Sequence, residues 1–247
     1  MSDEEGAKPS TVPREGSRRP VPLMRRMMID SLLRSQAAIL PVTVTAEAPV
    51  GALVAARERL RGAIPGLTYG MLIAKLLIGV LQDHPFLNAA IVDGALVEYS
   101  DIQLACAVAL DDGELVVPVL HRAQEMSLPM LAEAMRDLIA RARSRRLVPA
   151  DVQGGTFALS NVGNVPGLAV PFTATPVIPP NQAGILLTGV IRPAPVAVDG
   201  RVVVSDVMPV AFSFDHRIVN GVPALTAFGA FIRRLDDPQI WLQERMR

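Results

Sequence analysis

The sequence predicts an α/β (α+β) domain, a mixed β-sheet flanked by helices, and three features carry that reading. Two hairpins follow one another, 90–99 turning at Asp93-Gly94 and 104–120 turning at Asp111-Asp112-Gly113, and Asp-Gly between apolar runs is a strong hairpin signal. Five segments repeat apolar residues at helical spacing, beginning near Val21, Val50, Gly70, Ser127 and Val222. The alternating strand Met208 to Phe214 then runs into the last of these helices. Half of the 247 residues are hydrophobic, enough to bury one large core.

Along the chain, residues 1–20 are polar, carry Pro9, Pro13 and Pro20, and hold almost no large apolar side chain. Such a segment cannot bury enough surface to offset its ordering entropy, so it reads as a disordered tail before a single domain over 21–247. Leu23, Met24, Met27, Met28, Leu32 and Leu33 then mark an amphipathic helix with arginines interleaved. Pro41 to Ala46 alternates as a strand, Val50 to Arg61 and Gly70 to Leu81 are helical, and His84-Pro85 ends the second. Ser127 caps a helix whose apolar face is Leu128, Leu131, Met135, Leu138, Ile139 and Ala142. Arg141, Arg143, Arg145 and Arg146 at its end suit the helix dipole and read as a solvated face. Thr156 to Ser160 is a short strand that opens into a Gly- and Pro-rich loop through Pro180, and Ile185 to Val190 and Arg201 to Phe214 are further strands.

Composition excludes several function classes. Lys plus Arg and Asp plus Glu both number 24, so no global charge selects nucleic acid or a membrane surface. The single cysteine, Cys106, lies in an apolar run, which rules out an internal disulfide and reads as a buried structural thiol. The apolar run 72–81 is interrupted by Lys75 and is far shorter than a membrane span, and the acidic N-terminus is no secretory signal, so a cytoplasmic protein is expected. Neither a Walker loop nor a Gly-x-Gly-x-x-Gly fingerprint nor a zinc-type spacing occurs.

The chemistry concentrates in Ser213-Phe214-Asp215-His216-Arg217-Ile218-Val219-Asn220-Gly221. His216 shares the parity of Phe212 and Phe214 and is expected to point inward, into a setting that favours a neutral, proton-accepting imidazole. Two readings of this stretch stand side by side: a catalytic histidine, or a core histidine followed by an ordinary Asn-Gly helix start. The spelling His-x-x-x-Asn-Gly resembles the His-x-x-x-Asp-Gly signature of the dihydrolipoamide acyltransferases and of chloramphenicol acetyltransferase. Pro22-Leu23 with its arginine-bearing helix, Pro85 to Ala89, Val108 to Val119, Leu147 to Gly163, Thr175-Pro176 and Ala211 to Gly221 follow that family's order.

The resemblance implies a chloramphenicol acetyltransferase-like two-layer sandwich that forms a homotrimer with active sites between subunits, in some assemblies within a 24- or 60-subunit cage. It implies acyl transfer between coenzyme A and a dihydrolipoyl thiol, with His216 as base and Ser160 of a neighbouring subunit donating to the oxyanion. Asn220 stands where most members have Asp, and Arg25, or failing that Arg26, matches the arginine that holds this position, with Asp215 and Gly221 in supporting places. No lipoyl or subunit-binding domain is visible in these residues, so the lipoyl group is expected in trans, on a lipoyl-domain protein. A coenzyme A-dependent transferase with a non-lipoyl acceptor, or a low-activity scaffold, are the other functions the resemblance leaves open. Ile240, Trp241, Leu242 and Met246 are expected to suit contacts between trimers.

Overall fold

The longest strand among the described residues is the one the alternation picks out, and the sheet is assembled around it. The computed structural model describes residues 19–163, 174–198 and 200–243. In chain order, α1 (Leu23–Ala38), β1 (Pro41–Pro49), α2 (Gly51–Leu60) and α3 (Tyr69–Asp83) are followed by a small hairpin, β2 (Ala89–Val92) and β3 (Ala95–Glu98). Strands β4 (Leu104–Ala109), β5 (Leu115–Val116) and β6 (Val119–Leu120) lead to α4 (Leu128–Arg143) and β7 (Phe157–Asn161). The chain continues through β8 (Gly184–Thr188), β9 (Arg192–Val198), β10 (Arg201–Asp215), α5 (Gly221–Asp236) and α6 (Gln239–Gln243).

The main sheet has eight strands in the order β1-β10-β8-β7-β4-β5, with β6 also on β4 and β9 also on β10. The β4–β7 and β7–β8 pairs are parallel and the others antiparallel, so the sheet is mixed as expected. Three local differences have physical reasons. The first hairpin, with Asp93 and Gly94 both at positive φ, forms a separate two-stranded sheet and does not join the main one. The predicted strand 115–120 is split around Pro118, which has no N–H for the ladder. Strand β9 escapes the sequence reading because Pro193 and Pro195 argue against a central strand; it is an edge strand, where proline is tolerated.

Helices cover one face of the sheet. Helix α3 is buried at every position from Gly70 to Leu81, the property of a helix surrounded by protein, and it packs against α2, α4, α5 and α6. Thr68 caps it by accepting the Met71 N–H. Beneath lies a ladder of rings: Phe212 is 6.2 Å from Phe157, 5.4 Å from Phe214 and 6.1 Å from Phe228 between centroids, and such contacts add to the burial of apolar area. A smaller apolar cluster gathers Ile39, Ala105, Val119, Ala158, Ile178 and Ile185.

Two expectations about helices change. Helix α1 forms where predicted, yet Leu23, Met27 and Leu33 on it are exposed, so its apolar side chains do not pack within the chain. At the other end, the residues expected to meet another trimer are partly spent internally. Leu242 is buried, and the Arg234 guanidinium lies 3.8 Å above the Trp241 ring. Met246 and the Ile240 side chain lie outside the described residues, as does the predicted tail up to residue 18. Among the described residues no helix is long and apolar enough to cross a membrane. The arginines at the end of α4 are matched by acids, Arg141 by Asp137 and Asp151 and Arg145 by Asp112, which supports the solvated reading.

Two predictions test this packing. Burial pushes the Cys106 thiol up to about 12, so iodoacetamide at pH 8 should leave the native protein unmodified by mass and label it once it is unfolded. At Gly184, in β8, an added Cβ would sit 2.8 Å from the Ser213 carbonyl oxygen and 2.9 Å from the Phe212 ring. Gly184→Ala should therefore lower stability by about 1–3 kcal/mol in denaturant titration.

Candidate active site

Strand β10 delivers the histidine, and a buried carboxylate shapes the loop that follows. Asp215 is the last residue of β10 and is 1% exposed. Its carboxylate accepts from Arg217 Nε at 3.0 and 3.1 Å and from Nη2 at 2.6 Å, and also from the backbone N–H of Arg217 at 3.0 Å and of Leu40 at 3.3 Å. The Asp215 N–H donates to the Ala183 carbonyl, and the Asp215 carbonyl accepts from the N–H groups of Ile218 and Val219. The chain thus turns sharply over one residue pair, and the hydrogen bonds that Arg217 donates to the Asp215 carboxylate raise the Arg217 pKa above its ordinary range.

His216 sits on that turn. Its N–H donates to the Leu40 carbonyl at 2.8 Å, and its ring lies 5.9 Å from that of Phe214, so it keeps the side that the alternation assigned. The inward setting does not hold in the single chain, where His216 is exposed. The reason is that β10 ends at Asp215, one residue before the imidazole would have entered the core.

Asn220 takes the backbone conformation of an N-cap for α5, with φ −76° and ψ 161°, and its carbonyl accepts from Ala224. Its side chain makes no capping bond and is exposed. The ordinary N-cap reading is therefore right for the backbone and leaves the amide uncommitted. Gly221 opens α5 with nothing near its Cα that a side chain would meet. Arg25, expected to hold position 220, instead reaches Glu114 at 3.4 Å, with both side chains exposed.

Ser160 lies in β7 between Ala107 of β4 and Leu187 of β8, is half-buried, and makes no side-chain hydrogen bond among the described residues. Register places it far from His216 in the same chain. Ser160 is level with Leu187 and Leu187 with Ala211, so His216 is two strands across and five residues along. At about 3.3 Å per residue and about 4.8 Å per strand this is roughly 19 Å. A single chain brings Asp215, His216 and Arg217 together and leaves Ser160 and Arg25 apart from them. Arg217 was not singled out from the sequence, although an arginine two residues after an aspartate at a strand end was a legible signal.

The other two histidines are structural. Both ring nitrogens of His121 are engaged, Nδ1 with Gln103 Oε1 and Nε2 with the Ala150 carbonyl, each at 2.9 Å. His84 packs edge-on against Phe86 at 5.7 Å. No cluster of side chains that could hold a metal occurs among the described residues.

Comparison with known proteins identifies the family. The family model of the 2-oxoacid dehydrogenases acyltransferase (catalytic domain) matches residues 13–243. The dihydrolipoyllysine-residue acetyltransferase component of the acetoin cleaving system of Bacillus subtilis is 30% identical over 224 residues, which make up 89% of this chain and 55% of that protein. The chain spans about half or less of the length of the curated relatives it matches. A dihydrolipoamide acetyltransferase of Azotobacter vinelandii, crystallised to study the roles of a serine, a histidine and an asparagine in its catalysis, superimposes with a TM-score of 0.84 at 28% identity, over 96% of this chain and 99% of that one. The cubic core of a pyruvate dehydrogenase multienzyme complex matches with the same figures. A chloramphenicol acetyltransferase, 18% identical with a TM-score of 0.52 over 84% of this chain and 92% of that one, shares the fold. The protein is thus a member of the 2-oxoacid dehydrogenase acyltransferase family and carries its catalytic domain.

Proposed function

We propose that this domain transfers acyl groups between coenzyme A and a dihydrolipoyl thiol, at sites that form between copies of the chain. The observation that carries this reading is the placement of two uncommitted groups, the exposed His216 imidazole and the Ser160 hydroxyl, too far apart in one chain to act together. A second copy resolves the separation and supplies the cover that the exposed imidazole lacks. The Azotobacter vinelandii enzyme, whose asparagine stands four residues after its histidine, supports Asn220 as a member of the same set. The cubic core relative supports assembly of many copies into one particle; as its building block we propose a homotrimer, extended to a cage of 24 or 60 subunits.

In the proposed reaction His216 takes the proton of the incoming thiol, whose ordinary pKa of about 8.5 leaves little thiolate at neutral pH. The sulfur forms a bond to the thioester carbon, and Ser160 donates to the oxygen that gains charge. Collapse breaks the original carbon–sulfur bond, and the departing sulfur receives the proton from His216. One thioester replaces another, so the reaction runs in both directions and needs no outside reactant. Asn220 and Asp215 act on the loop rather than on the acyl group, and the exposed Arg25 has a place in the set once a neighbour covers it. The lipoyl group arrives from outside the described fold, on a lipoyl-domain protein, and we place the reaction in the cytoplasm.

His216→Ala should lower kcat by about a hundredfold to ten-thousandfold, and Ser160→Ala by about a hundredfold to a thousandfold, in transfer from acetyl-coenzyme A to dihydrolipoamide. Full activity in His216→Ala with an unchanged fold would end the proposal. Co-folding His216→Ala with Ser160→Ala should restore about a quarter of native activity, the chance that random neighbours in a closed ring supply one intact residue each. No recovery would place both groups in one chain.

Arg217→Ala strands the buried Asp215 carboxylate and should cost about 1–3 kcal/mol of stability. Arg217→Lys keeps the charge and loses the two-pronged bond. It should regain part of the stability while kcat stays depressed and KM is little changed, whereas a purely structural arginine would recover both.

A further inference from the structure

Behind the His216 loop, a cavity of about 260 Å³ opens between the end of α1, the β2 strand and the segment 180–182. Asp215, Arg217 and Ile218, the residues around His216, form one wall, and Arg34 of α1 faces them. The charges do not balance. Two guanidiniums line the space against one carboxylate, Asp215, which already accepts from Nε and Nη2 of Arg217. Arg34 has no ion pair or hydrogen bond among the described residues, and Arg217 Nη1 is uncommitted.

Asn181 adds one further donor. Asn181, held at φ 58°, and Gln182, 6% exposed, belong to the lining and make no side-chain hydrogen bond among the described residues. Gln182 adds no donor here: its oxygen is buried without a partner and can only accept, and its Nε2 lies toward Gly155. The space thus offers free donors from three side chains, Arg34, Arg217 and Asn181, and no free carboxylate. Guanidinium forks beside an amide suit a carboxylate or a phosphate, and a volume of about 260 Å³ admits a small acid.

We propose that this cavity is a binding site for a small anionic group, held by Arg34 and Arg217 with Asn181, and distinct from the pairing of His216 with Ser160. Two sources share that chemistry: the far carboxylate of a dicarboxylic acyl group, or a free acid or phosphate that acts on the loop through Arg217. Attribution to the acyl group rests on the acyl-transfer reading above; the anion site itself does not.

The binding test needs no turnover. Native protein is titrated by calorimetry with succinate and with inorganic phosphate at fixed ionic strength, beside Arg34→Gln, an exposed change on α1. Saturable binding of either anion by the native protein, weakened about tenfold or more in the variant, is the expected result. No saturable binding, or equal binding by both proteins, overturns the proposal. Transfer assays then separate the sources. A preference for succinyl- over acetyl-coenzyme A that falls about tenfold in Arg34→Gln assigns the anion to the acyl group. A change in acetyl transfer on adding free succinate or phosphate, abolished in Arg34→Gln, assigns it to a free effector. Binding without either effect on transfer overturns its link to the His216 loop, and absence of all transfer counts against the acyltransferase reading while leaving the titration as the test of the site.

Discussion

One buried carboxylate holds the working end of the molecule in place. Asp215 closes β10, receives both arms of Arg217 and two backbone N–H groups, and ties the strand to β8 through Ala183 and to the start of β1 through Leu40. A charge so fully removed from water is tolerable only when its partners are complete. Completing them fixes the loop as well: the same residues that satisfy Asp215 set where His216 leaves the sheet and where α5 begins.

Much of this was legible in the sequence because it follows from local rules. The alternation of Met208, Val210, Phe212 and Phe214 specified β10 and the side on which its rings gather. The Asp93-Gly94 pair specified a hairpin, and the apolar spacing after Ser127 specified the face of α4 that is buried. What the sequence did not disclose depends on where elements stop or on which neighbour they meet. Parity gives His216 its side but not its exposure, since burial also requires the strand to continue. The prolines of β9 conceal a strand because only the finished sheet shows that it lies on an edge. The pairing of Arg25 with Glu114 joins residues 89 apart in sequence, and no short-range pattern announces it.

The order of strands explains why His216 and Ser160 cannot cooperate within one chain. Strands β7 and β8 run parallel, while β8 and β10 run antiparallel, so the C-terminal end of β7 and the C-terminal end of β10 lie at opposite ends of the sheet. Loop motion cannot close that gap, because both residues are tied to paired strands. In this fold the topology itself separates the two groups, and the exposed apolar residues of α1 mark a surface that no part of the described chain covers.

Strand β10 has a further property. Its first half forms an arm with β9, on which Val202 and Val204 are 77% and 76% exposed, and its last residue, fifteen along, anchors the imidazole loop. A paired strand of that length behaves as a stiff rod of about 50 Å. The valine arm and the His216 loop are thus carried at the two ends of one stiff strand, so whatever holds the arm also orients the far end.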